Sequence, residues 1–186
     1  DSGKDDRYTN FGQVLNSAGG GNAATSGNAN FQNEWKRLAN NEPDFVQAQH
    51  DWVQNTHHNP VVRKFKEATD IDVCDGSWSN GVQEAVWSTA VQHGPGEEDG
   101  SNGAPLILKR ALARTGKTAE TVTDEELIKA IYAERGKLKT GSTTELNYFG
   151  GSTAAVQQSV KNRFQQEVKD ALSITNKTLN KHIVAD

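Results

Sequence analysis

Methionine is absent from the 186 residues, and cysteine occurs once, as Cys74. A lone thiol excludes an internal disulfide framework and leaves the redox compartment open. The missing methionine points to a chain that begins inside a longer product or after processing, so a domain rather than a whole gene product is expected. Hydrophobic residues amount to only 34%, and no apolar run approaches the ~20 residues of a membrane span. No signal-peptide pattern is visible at Asp1. Positive charge is not in excess either: 20 Lys and Arg stand against 24 Asp and Glu, for a net charge of −4. That balance argues against nucleic acid or an anionic membrane as partner. What is present are 4 Trp, 3 Tyr and 6 Phe, whose large side chains must supply much of the core. The length suits one good-sized core, or two lobes sharing one.

The stretch around which the chain is organised runs from Ser77 to Gly94. Asn80 reads as its N-cap, and Val82, Ala85, Val86, Thr89, Ala90 and His93 fall on one helical stripe. Glu84, Trp87 and Val91 fall on a second, so a helix over 79–93 is expected to run through the middle of the domain. Gly94-Pro95-Gly96 stops it. The helix delivers Gln92 and His93 together at its end, which is where a ligand or chemistry is to be sought.

Upstream, residues 1–27 are turn-rich and polar, with one short helix possible over Phe11 to Leu15. Phe31, Trp35 and Leu38 mark an amphipathic helix to Asn41. Pro43 opens the next, Asp44 to Thr56, with Phe45, Ala48 and Trp52 inward. Asn59-Pro60 restarts the chain into a helix through Val61, Phe65 and Ala68. Downstream, residues 95–102 are glycine- and acid-rich and are expected to form a mobile surface loop. Pro105 starts a helix closed by Gly116. Thr123 and Glu126 form a capping box for a helix whose stripe runs through Leu127, Ile128, Ile131 and Tyr132 to Arg135-Gly136. After a connector holding Tyr148-Phe149, Thr153 begins the longest helix, with Val156, Val160, Phe164, Val168, Ala171 and Leu172 on one face. No convincing strand alternation is found, and no internal repeat, so the class is mainly α.

Several motifs point elsewhere and fall short. Asp70, Asp72 and Asp75-Gly76 approach a calcium loop, but the third acid comes one place late and no Glu closes it. Gly116-Lys117-Thr118 lacks the earlier glycine and the strand of a phosphate loop. His50, His57 and His58 lack the cysteines or spacing of a zinc site, so no metal is expected. Cys74 paired with a histidine is a conceivable nucleophile, but an isolated cysteine is ordinarily a small packing residue.

Four blocks, in order, carry a resemblance: Phe45 to Trp52 with its Gln49-His50-Asp51 centre, Trp87 to Gly94, Asp124 to Arg135, and Tyr148-Phe-Gly-Gly-Ser-Thr153. Together they resemble the peptidoglycan-cleaving domains of phage endolysins and of the C-terminal extensions of type VI secretion spike proteins. The resemblance spans about Phe31 to Phe164. It implies a lysozyme-like, chitosanase-related fold: a two-lobed, mainly α domain around a central buried helix, with residues 1–186 forming a single glycan-hydrolase domain. The implied function is muramidase hydrolysis of the β-1,4 glycan backbone of peptidoglycan, by an antibacterial effector or an endolysin domain, without cofactor or metal. A non-catalytic glycan-binding domain on the same fold is the alternative.

Glycoside hydrolysis needs two carboxyls flanking the scissile bond. The resemblance places one in a Ser-Gly-Lys-Asp-Asp-like loop, matched by Ser2 to Asp6, with Asp6 preferred over Asp5. The family's catalytic Glu segment, which precedes that loop, has no counterpart here. The domain is therefore expected to lack its N-terminal catalytic segment and to cleave poorly, unless another carboxylate serves, with Glu84 on the central helix the substitute. The implied substrate-binding residues are Trp87, Gln92, His93, Thr89, Gln49 and Tyr148. Expected partners are the peptidoglycan glycan strand and a cognate immunity protein, with delivery to the periplasm of a target bacterium.

Overall fold

In a computed structural model, the backbone is described for residues 29–41 and 45–183, and side chains for all of these except 30, 31, 34 and 176–183. Asp5, Asp6, the Phe11 to Leu15 segment and Pro43 lie outside the described residues. The chain is mainly α, as expected of a lysozyme-like helical domain, and divides at residues 55/56 into two compact units.

In the first unit, helix α1 (Ala29–Asn41) precedes helix α2 (Phe45–Val53). Leu38 and Phe45 are buried, and the Trp35 ring meets Phe45 edge-on at 5.2 Å. Trp52, expected to point inward, is 37% exposed. The helix expected to run on to Thr56 instead widens at Gln54–His58 into a π-helical turn. The wider turn leads directly into α3 (Asn59–Thr69), with Pro60 in the first turn, where its missing N–H costs nothing.

The second unit is built on α4 (Asn80–His93), α5 (Gly103–Thr115), α6 (Asp124–Arg135) and α7 (Ala154–Ile183). Helix α4 packs on α5, α6 and α7, and α3 packs on α5. Val82, Ala85, Val86, Thr89 and Ala90 are wholly buried on the first expected stripe. The second stripe behaves differently: Glu84 is exposed, Trp87 is half-buried and Val91 is 47% exposed. One face and the flank of α4 are therefore covered, not its whole circumference. Its N-cap is Ser79, not Asn80: the Ser79 hydroxyl accepts from Val82 N–H and also bonds the Thr175 hydroxyl of α7 at 3.0 Å. Asn80, one residue on, is exposed and has no such tertiary partner to favour it as the cap.

Around this helix, Phe65, Ile71, Val73, Leu108, Ile128, Ile131, Leu146 and Phe164 complete one hydrophobic core. At roughly 25 cal/mol per Å² of apolar area removed from water, burial of this kind is the main favourable term in the fold. The Thr123/Glu126 capping box forms as expected, and Gly116 closes α5 in left-handed geometry. In α7, Val160, Phe164 and Ala171 are buried, whereas Val156 near the helix start is 48% exposed.

Residues 95–102 depart from the expected mobile loop. The ammonium group of Lys64, whose side chain is only 5% exposed, donates to the carbonyls of Pro95, Gly96 and Glu97 at 2.9–3.3 Å. Ala104 N–H donates to Gly94 O, and Glu97 N–H to Asn102 Oδ1. The segment is short of apolar groups, but it is tied down by a buried cation that satisfies its carbonyls.

Candidate functional site at the end of the central helix

Helix α4 ends at Gly94, whose φ of 71° would be strained for a residue with a Cβ and whose N–H returns to Ala90 O. That ending sets His93 against two rings of the 148–149 connector. Its imidazole meets Tyr148 at 5.8 Å and Phe149 at 5.6 Å, both edge-on at 71°. Its Nε2 is buried, with no hydrogen-bond partner among the described residues. Burial, reinforced by the charges of Arg135 and Arg163, pushes the His93 pKa down to about 4, so the ring is neutral at pH 7. Beside it, Gln92 Oε1 accepts from Arg163, a residue of α7.

Tyr148 joins His93 to a group of charged residues. Its hydroxyl donates to Glu134 Oε1 at 2.5 Å and accepts from Arg110 Nη1 at 3.2 Å. Glu134 is 1% exposed; its second oxygen accepts from Arg114 Nη1 at 3.1 Å, and Lys137 Nζ stands 4.0 Å from the first. Burial, then the bond to Glu134, raises the Tyr148 phenol above its usual range, so it serves as a neutral hydrogen-bonding group. The neighbouring Arg135 is fully buried. It donates to Glu167 Oε2 at 3.2 Å and Ser88 Oγ at 3.1 Å, and its guanidinium lies 4.2 Å from the Phe164 ring centre. Glu167 Oε1 is in turn bound by Arg163 at 3.1 Å.

Of the residues singled out from sequence, His93, Gln92 and Tyr148 thus come together. Trp87 lies on the same helix about 9 Å along its axis from His93, with its ring 4.9 Å from that of His58. Thr89 is completely buried, and its hydroxyl donates to Ala85 O at 2.6 Å; it is a packing residue with no surface to offer a glycan. Gln49 belongs to the first unit, where its amide donates to Phe45 O at 3.3 Å. Glu84 stands exposed on α4, and Asp5 and Asp6 are outside the described residues.

The buried ion pairs of Glu134 and Arg135 were not singled out from sequence as site residues. The signal was there for Arg135, which continues the Ile128, Ile131, Tyr132 stripe at helical spacing. Among the described residues, no group of His, Cys, Asp and Glu is arranged to hold a metal ion. Asp72 instead pairs with Lys66 and caps Cys74 N–H, while Asp75 is bonded by Ser77. Cys74 is exposed; partial desolvation of its thiol, with the charges of Asp72 and Asp75, raises its pKa, which disfavours the thiolate a nucleophile requires. No helix among the described residues is long and apolar enough to cross a membrane.

Comparison with known proteins returns no matching curated protein and no matching solved structure. It does return a protein family, type VI secretion system spike protein VgrG3-like, C-terminal, matched over residues 4–168. That span takes in all four blocks on which the sequence resemblance rests, together with every residue of the His93–Tyr148 site described above. The chain belongs to this type VI secretion spike C-terminal family.

Proposed function

We propose that this domain is the effector end of a secretion spike and that it hydrolyses the β-1,4 glycan backbone of peptidoglycan in the periplasm of a target bacterium. The observation that carries the reading is the family match over residues 4–168. In this reading Asp6, with Asp5 beside it, supplies the carboxylate that acts on water or on the anomeric carbon. Glu84, exposed on the central helix, is the candidate proton donor to the leaving oxygen. His93, Gln92 and Tyr148 contact sugar at the end of α4, and Trp87 offers an aromatic face farther along the helix. A cognate immunity protein covers this end in the producing cell.

One observation favours a second reading, a domain that holds the glycan without cutting it. The two carboxylates described at this site, Glu134 and Glu167, are bound through both oxygens by arginines and hydroxyl donors. Neither has an oxygen free to protonate a leaving group.

The experiment is incubation with purified sacculi, followed by turbidity and by the appearance of new reducing ends. Hydrolysis that falls by about 10²–10⁴-fold in Asp6→Asn or Glu84→Gln, the size of a general acid or base contribution, supports the first reading. Co-sedimentation with sacculi without new reducing ends selects the second. Neither binding nor cleavage would overturn both.

A further inference from the structure

The charged side chains around Tyr148 open onto a hollow of about 520 Å³ lined by Arg110, Arg114, Glu134, Lys137, Thr140 and Asn147. Three cations share it with one carboxylate. That carboxylate is spent: Glu134 is 1% exposed and already bound by Arg114 and the Tyr148 hydroxyl. Arg114 and Lys137 are about half exposed, at 45% and 46%. Arg110 is exposed and donates to the neutral hydroxyl of Tyr148.

Attraction to the negative end of α5 accounts for Arg114, which is in the last turn. The negative end of α6 and Glu134 account likewise for Lys137, which follows that helix, but neither helix end accounts for Arg110, a full turn before the end of α5. In a chain of net charge −4, a hollow lined by three cations and one already paired carboxylate is suited to an anion. The planar guanidinium of Arg110 matches the two oxygens of a carboxylate.

We infer that this hollow is an oxyanion subsite and, resting on the peptidoglycan reading above, that it takes the free carboxylates of the stem peptides on the glycan strand. Tyr148 then links the two parts of the ligand site, with its ring beside His93 and its hydroxyl at the anion-binding group.

The test is calorimetric titration of the chain with a disaccharide-tetrapeptide, with the same fragment amidated at its carboxylates, and with uncharged chitotetraose. Glycerol phosphate, the repeat of an anionic wall polymer, is a fourth probe. The free-carboxylate fragment should bind about tenfold more tightly than the amidated one, the size of a charge-assisted contact at a partly exposed site. Arg110→Gln and Lys137→Gln, alone and together, should erase that difference, and Lys137→Gln, which takes no bond from Tyr148, should leave chitotetraose binding unchanged. Equal affinity for the free and amidated fragments, or a difference that survives both substitutions, overturns the subsite. Glycerol phosphate binding as tightly as the tetrapeptide fragment overturns the stem-peptide assignment. Reducing-end release from sacculi is scored separately. Cleavage without carboxylate discrimination sinks the subsite alone, and discrimination without cleavage sinks hydrolysis alone.

Discussion

The two ends of helix α4 are built on opposite principles. At the N-terminal end the capping groups of Ser79 have partners and backbones approach closely. Ser79 N–H donates to Asp124 Oδ2 at 2.8 Å, its hydroxyl meets that of Thr175, and Gly81 lies so near α7 that a Cβ would collide with Thr175 Oγ1 and Ala171 O. At the C-terminal end His93 is half-buried against two rings, its Nε2 lacks a partner among the described residues, and the charges of Arg135 and Arg163 act on it. A buried polar atom left without a bond costs on the order of 1–3 kcal/mol. One end is thus optimised for packing, and the other carries a cost of the kind that binding sites carry.

The largest effect should come from Gly81→Val. No rotamer avoids the α7 backbone, so overpacking should cost about 3 kcal/mol or more, read as a lowered urea midpoint. A variant as stable as the parent would show that the packed end yields easily, and the contrast between the ends would collapse.

Next is the pH response of His93. Its folded pKa of about 4 lies below its ordinary value of 6.5. The unfolded chain therefore takes up the proton first as pH falls. The stability associated with the neutral ring is fully present above pH 6.5 and is lost progressively as pH falls from 6.5 toward 4. The loss is on the order of 3 kcal/mol, complete only below pH 4. His93→Phe, which keeps an aromatic group between Tyr148 and Phe149, should remove that part of the slope. An unchanged difference between parent and variant from pH 7 to pH 4 would contradict a buried neutral ring.

The smallest effect is expected at Thr123→Ala, at the start of α6 and away from the His93 end of α4. It removes the hydroxyl half of the capping box and should cost about 1 kcal/mol, without altering glycan binding. A change in binding would show that the ligand site extends to the start of α6.

Much of this was legible in the sequence because it is local. The Thr123/Glu126 box, the Gly116 stop and the inward run Val160, Phe164, Ala171 follow from residue spacing alone, and all are found. The cap of α4 was displaced by one residue because Ser79 and Asn80 are equally competent caps in isolation. The choice belongs to Thr175, which is 96 positions away. Residues 95–102 looked loose because composition does not reveal that Lys64, on the inner face of α3 with Val61 and Phe65, reaches three of their carbonyls. Of the site, His93, Gln92 and Tyr148 were legible as a helix end and an aromatic connector. The Glu134 pairing was not, since an acid at a helix end ordinarily faces water.

The most direct measurement of the central claim is an NMR titration of the chain with chitotetraose, following the His93 ring, the Gln92 side-chain amide and the Tyr148 ring signals. These signals should move together, with one dissociation constant, while the amides of Ser79 to Val82 stay still. Shifts concentrated at Ser79 to Val82, or a bound glycan that leaves His93 and Tyr148 unmoved, would contradict the assignment of the C-terminal end of α4 as the ligand end.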